Sequence, residues 1–141
     1  MGDRMREDMI NLAKKIAIDA HKKQTRRDGT LYINHPKRVA SSFTYPNYII
    51  VAWLHDVLED TTITAEDLIR NGIPKQLVAT IQSLTRRNNE NYYDFIMRIK
   101  KDFIATKVKI ADINDNITHN LKEGFLKDKY RLAKYVLEEV E

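Results

Sequence analysis

One short run of the sequence gathers the residue types that bind metal ions and move protons: His55-Asp56-Val57-Leu58-Glu59-Asp60. Read as helix, His55 and Glu59 share one ridge and Asp56 and Asp60 the next, because residues four apart are neighbours on a helix surface. The run continues the apolar stretch Tyr48-Ile49-Ile50-Val51-Ala52-Trp53-Leu54. Its acids would then crowd a helix C-terminus, where the macrodipole disfavours each negative charge by roughly 0.3–1 kcal/mol. Mutual repulsion and partial burial add to that cost. A bound divalent cation reverses the sign of every one of these terms. The alternative is a solvated helix end with its carboxylates in water, and this segment alone weighs the two equally.

Two further segments bear on the choice. His35 precedes Pro36 at the start of a short helix that could return it beside His55; otherwise it is a surface histidine. Asp112, Asp115, Asn116 and His119 fall at i, i+3, i+4 and i+7 on a helix that also carries Val108, Ile110, Ala111, Ile113 and Ile117. Such a polar stripe faces either solvent or a polar cavity, and periodicity does not decide which. Just before His35 lies a basic, Gly-centred loop with Lys22, Lys23, Arg26 and Arg27. Guanidinium groups can hold phosphate bidentately, although most such clusters are solvated turns.

The elements that must position these groups read as helices. Apolar residues recur at helical spacing from Asp8 to Ala20, the mark of an amphipathic helix. Pro36 suits the first turn of a short helix through Ala40, and Pro46 and Asn47 open a helix apolar on all sides and therefore buried. Thr64-Ala65-Glu66-Asp67 reads as an N-cap with Asp67 in place of the usual Glu, and Gly72 ends that helix. Further helices run from Pro74 to Leu84, from Asn91 to about Lys101, from Thr106 to His119 and from Lys127 to Val140. About seven helices result, an all-α single domain over residues 1–141. Four Gly and three Pro among 141 residues agree with that.

Composition narrows the class. A 43% hydrophobic and 31% charged chain is not a disordered one. Zero Cys excludes a disulfide scaffold, thiolate zinc sites and Cys nucleophiles, and fits a reducing, cytoplasmic setting. The formal charge of +4 permits an anionic partner. No secretory signal is visible at the N-terminus, and the longest apolar run falls far short of the roughly 20 residues that span a bilayer. No membrane partner is expected.

Taken together and in order, the segments resemble the HD superfamily of metal-dependent phosphohydrolases, and within it the alarmone hydrolase domains of RelA/SpoT type. Gln24-Thr25-Arg26-Arg27-Asp28-Gly29-Thr30-Leu31-Tyr32-Ile33-Asn34-His35-Pro36, with Arg38-Val39-Ala40, is similar to their opening signature. Ala52 to Thr62 is similar to the second, and Lys109-Ile110-Ala111-Asp112 with Asn116 to the third. Asp128, Arg131, Lys134 and Tyr135 resemble the tail of small stand-alone members. The similarity spans about Ile10 to Asn116.

The resemblance implies an all-helical HD-type bundle holding one divalent metal, usually Mn²⁺, through His35, His55, Asp56 and Asp112. It implies catalytic roles for Glu59 and Asp60, one orienting or deprotonating a water and the other assisting the leaving group. It implies substrate contacts from Arg26, Arg27 and Asn116. The substrate would be guanosine tetra- or pentaphosphate, hydrolysed at the 3′ position to release pyrophosphate. Where the bifunctional enzymes usually read His-Asn-hydrophobic-Arg-Thr, this chain has Asp115-Asn116-Ile117-Thr118-His119. The stretch between Leu84 and Asp112 is also shorter than in the larger hydrolases. These departures leave the metal set intact and bear on the nucleotide.

Two other readings stand beside this one. An HD nucleotidase could act on another nucleotide. A binding module could sense nucleotides without turnover, or bind RNA through Arg86-Arg87 and Lys100-Lys101. A silent sensor predicts a broken catalytic pair, yet Glu59 and Asp60 are both present. An RNA surface predicts aromatic residues interleaved with basic ones, and Tyr92 and Tyr93 read instead as core-facing residues of a helix. No nucleic-acid partner is expected.

Overall fold

A computed structural model describes residues 2–119 and 124–139. Nine helices are present among them: α1 Asp3–His21, α2 Asn34–Ser41, α3 Pro46–Leu54, α4 Val57–Asp60, α5 Ala65–Arg70, α6 Lys75–Ser83, α7 Tyr92–Ile99, α8 Phe103–His119 and α9 Gly124–Glu138. The all-helical expectation holds: no strand occurs among the described residues, and the only pairing of β type is an isolated bridge between Thr25 and Leu31. That bridge closes the basic loop, with Gly29 at φ +86° making a turn that a side chain would strain.

The axis of the bundle is α3. Ile50, Val51 and Leu54 are at most 1% exposed, and burying each contributes roughly 1.5–3 kcal/mol. Helices α1, α2, α6 and α8 pack around it. An apolar rod gripped on every side fixes the position of whatever follows its last turn, and His55 follows directly. Around it, Asn91 Oδ1 caps α7 through the Asp94 amide, and Thr64 and Asp67 form a reciprocal capping box on α5. Helix α8 starts three residues earlier than the periodicity suggests, because Asp102 Oδ1 accepts from the Ala105 amide.

One expectation fails in an instructive way. The helix that opens at Pro46 does not run on through Asp60. His55 Nδ1 donates to the Ala52 carbonyl at 2.6 Å, drawing on an acceptor that the next helical turn would otherwise use. Asp56 then sits at φ −105°, ψ −2°, and the single turn α4 begins after it. The acids therefore do not crowd the end of one long dipole; they straddle a break. Tyr93 also departs from its expected place, 64% exposed on α7 rather than facing the core. No described helix is long and apolar enough to cross a membrane. Val140, where the last helix was expected to end, lies outside the described residues.

Candidate metal centre

His35 from α2, His55 and Asp56 from the break after α3, and Asp112 from α8 meet at one point. One donor atom from each lies within 4.8 Å of all the others. His35 Nε2 is 2.6 Å from Asp112 Oδ1 and 3.8 Å from Asp56 Oδ2; His55 Nε2 is 3.0 Å from Asp56 Oδ2 and 3.3 Å from Asp112 Oδ1. Two imidazoles and two carboxylates, with no thiolate, form a donor set suited to Mn, Fe, Co or Ni. The residues present can hold a divalent cation.

Each donor is also held from behind. His35 Nδ1 donates to Asp115 Oδ2 at 2.6 Å, and His55 Nδ1 donates to the Ala52 carbonyl. With the proton on Nδ1, a neutral imidazole keeps its lone pair on Nε2, turned into the centre. Lys109 Nζ lies 2.9 Å from Asp112 Oδ2, leaving Oδ1 to face inward. Tyr32 donates its hydroxyl proton to Asp56. Burial alone would raise the carboxyls of Asp56 and Asp112, but the imidazoles, and Lys109 beside Asp112, outweigh it and hold both below the usual range. Burial alone would likewise lower both imidazoles. Asp112 and Asp115 beside His35, and Asp56 and Asp112 beside His55, reverse that and raise them. Protons held this way are displaced when a cation enters.

Glu59 and Asp60 stand beside this cage and are exposed. Glu59 Oε1 accepts from the Arg86 amide at 3.2 Å. Asp60 Oδ2 lies 3.1 Å from the Tyr32 hydroxyl, and its carbonyl accepts from Gln24 Nε2 at 2.8 Å. Partial burial, reinforced by the Asp56 charge, raises both carboxyls above their ordinary values. Such a shift suits a group that must exchange a proton near neutral pH. A cleft of about 700 Å³ opens beside Asp60 with Lys22, Lys23 and Gln24 on its wall.

The predicted substrate groups separate. Arg26 Nη2 donates to Asn116 Oδ1 at 3.2 Å, and Asn116 Nδ2 lies 3.3 Å from Asp112 Oδ1, so these two adjoin the centre. Arg26 Nε and Nη1 are buried without a hydrogen-bond partner among the described residues, and the guanidinium lies over the Tyr32 ring at 5.5 Å. Arg27 is exposed and makes no hydrogen bond or ion pair among the described residues. The stripe on α8 splits: Asp112 and Asn116 face the centre, while Asp115, Thr118 and His119 line a groove on the far side of His35.

Four residues in this arrangement carry no weight in the sequence reading. Tyr32 bridges Asp56 and Asp60 from 24 and 28 positions away, a pairing no local period reveals. Gln24 and Lys109 lie inside the signature stretches, and their types gave no sign of their partners. Arg38 looks like one more surface cation until Asp115 is seen against it.

No family model matches the chain. Among curated proteins, it is 33% identical over 140 residues to a guanosine-3′,5′-bis(diphosphate) 3′-pyrophosphohydrolase of Haemophilus influenzae, covering 87% of this chain and 20% of that protein. It is 30% identical over 152 residues to the bifunctional (p)ppGpp synthase/hydrolase SpoT of Escherichia coli, covering 94% of this chain and 21% of that one. The chain thus spans about a fifth of the length of these relatives. Among solved structures, a metazoan ortholog of SpoT that hydrolyzes ppGpp superposes with a TM-score of 0.72 at 20% identity, over 92% of this chain and 83% of its own.

Proposed function

We propose that this chain, an HD domain of the RelA/SpoT type, is a metal-dependent phosphohydrolase that removes pyrophosphate from the 3′ position of guanosine 3′,5′-bis(diphosphate). The observation that carries the reading is the convergence of four inward donor atoms with two accessible carboxylates at their edge. Residues 1–141 form one catalytic domain, working in the cytoplasm without a nucleic-acid or membrane partner. Its metal is Mn²⁺, held by His35, His55, Asp56 and Asp112. When bound, the ion supplies Lewis acidity toward a phosphoryl oxygen and lowers the pKa of water.

The rest falls to the chain's own residues. One of Glu59 and Asp60 takes a proton from the water that attacks the phosphorus next to the 3′ oxygen. The bond between that phosphorus and the 3′ oxygen breaks, and the 3′ oxygen leaves with a proton that the neighbouring carboxylate delivers. Their raised pKa values fit both duties. Tyr32 keeps Asp60 oriented toward the cage. Arg26 supplies positive charge for the anion, Asn116 contacts the nucleoside beside it, and Arg27 closes over the phosphates from the exposed loop. The departure at Thr118 lies in the outer groove with Asp115 and His119.

The test is to incubate purified protein and Mn²⁺ with guanosine tetraphosphate and a panel of other nucleotides, and to measure pyrophosphate and phosphate. Pyrophosphate from the alarmone is the expected result. Release from other nucleotides alone overturns the substrate; no release from any, with metal bound, overturns the enzyme.

A further inference from the structure

Asp115 stands outside the four-residue centre, yet it touches one of its ligands. Its Oδ2 accepts from His35 Nδ1 at 2.6 Å, while Arg38 donates through Nε to Oδ1 at 2.7 Å and through Nη2 to Oδ2 at 3.1 Å. The carboxylate side chain is 8% exposed and Arg38 36%. Arg38 lies one turn after His35 on α2, and Asp115 one turn after Asp112 on α8. The clamp therefore joins the two helices that deliver His35 and Asp112, on the side facing away from the centre. There, Arg38, Asp115 and His119 line a groove of about 400 Å³.

We propose that Asp115, braced by Arg38, is a positioning residue: it holds the Nδ1–H tautomer of His35 and so aims the Nε2 lone pair at the cation. A neutral imidazole can carry its proton on either nitrogen, and the Nε2–H form turns a donor into the centre, where it cannot ligate. An anionic acceptor behind Nδ1 selects the productive form and makes Nε2 a more basic ligand. The two histidines of the centre solve this problem differently. His55 uses the carbonyl of Ala52, which its own helix supplies. His35, at the start of α2, has no such carbonyl turned to its ring among the described residues and relies on a side chain from another helix. The Arg38 fork contacts both oxygens of that side chain, fixing the plane in which Oδ2 meets His35.

The inference rests on the proposed metal centre, and its test needs no nucleotide. The 141-residue chain is titrated with Mn²⁺ alone, by calorimetry or by the loss of the free-ion paramagnetic signal, in its native form and as Asp115→Ala, Asp115→Asn and Arg38→Gln. Asp115→Ala is expected to bind about 10–100-fold more weakly, the usual cost of removing such a partner. Asp115→Asn, which keeps an acceptor oxygen and loses the charge, falls between it and the native chain, and Arg38→Gln costs less than Asp115→Ala.

A plain interhelical ion pair would alter the melting temperature but not the tautomer, so ¹⁵N spectra of the imidazoles supply the second readout. Read at a pH where the His35 ring is neutral, the Nδ1–H form should dominate in the native chain and give way to a mixture in Asp115→Ala. If that variant fails to fold, the near-isosteric Asp115→Asn carries the test. Folded Asp115 variants with native Mn²⁺ affinity and an unchanged His35 tautomer would overturn the inference and leave the metal centre standing. A native chain that takes up no Mn²⁺ would overturn both.

Discussion

His35, His55 and Asp112 are at most 4% exposed, and with Asp56 each is gripped from behind by a hydrogen-bonding group. Glu59 and Asp60, one turn further along the chain than His55 and Asp56, are exposed and lightly held by the Arg86 amide and the Tyr32 hydroxyl. The first set has to keep one geometry against the repulsion of its own charges, so burial and a second partner for each donor serve it. The second set, in the proposed function, exchanges protons with water and meets a substrate; access serves that role, and partial burial needs only to raise its carboxyls. The break between α3 and α4 is what lets neighbours in sequence fall into such different surroundings.

Removing a cage residue should break this contrast most completely. His55→Ala is expected to abolish stoichiometric Mn²⁺ uptake in calorimetry and all nucleotide turnover with it. Retained uptake would show that the other three donors suffice. Next in size, Glu59→Gln should leave Mn²⁺ affinity close to native and cut turnover by about 10²–10⁴-fold, the range expected when a proton-transfer group is lost. A full rate in that variant would remove Glu59 from its role.

The same pair sets a pH dependence. Burial raises both Glu59 and Asp60, and only an ionised carboxylate can accept a proton. Turnover should therefore fall on the acid side with a midpoint above the ordinary carboxylate value of about 4, and rise as pH increases through it. A pH–rate profile that stays flat down to that ordinary value would contradict the shift.

Tyr32 links the two regions, and its loss should have an intermediate effect. Tyr32→Phe removes a hydroxyl that donates to Asp56 and lies against Asp60. A hydrogen bond to a charged group is worth roughly 1.5–3 kcal/mol, so turnover should drop about tenfold or more while metal is retained. The smallest effect concerns the loop behind Glu59. Arg98 holds it through Glu90 at 2.9 Å and through the carbonyls of Ser83 and Thr85. The hydrogen bond from Arg98 brings the Glu90 carboxyl down to about 2. Because that pKa is depressed on folding, its stabilisation is present above the unfolded glutamate value and is lost as pH falls through about 2. Glu90→Gln should lower the melting temperature near neutral pH, with the gap to the native chain closing toward pH 2.

The four residues of the candidate centre were legible in the sequence, and what holds them in place was not. His55-Asp56, His35 and Asp112 are legible because their types and order are unusual on an otherwise apolar helical framework. The starts of α5 and α7 were legible too, since Thr64 and Asn91 act on amides three residues away. The break after Leu54 was not, because periodicity continues smoothly through it and only the His55 ring reaching back to Ala52 reveals it. Nor were the pairings of Tyr32 with Asp56 or of Arg38 with Asp115, 24 and 77 residues apart, which exist only once the helices are packed. The polar stripe on α8 needed the same information: a period places Asp112 and Asp115 near each other, but only packing assigns one to the centre and the other to its outer brace.

The most direct measurement is anomalous diffraction at the manganese edge from crystals equilibrated with Mn²⁺. A single strong peak enclosed by His35 Nε2, His55 Nε2, Asp56 Oδ2 and Asp112 Oδ1, with Glu59 and Asp60 outside its ligand shell, is the predicted result. A peak ligated by Glu59 and Asp60, or no ordered ion at the four donors, would contradict it.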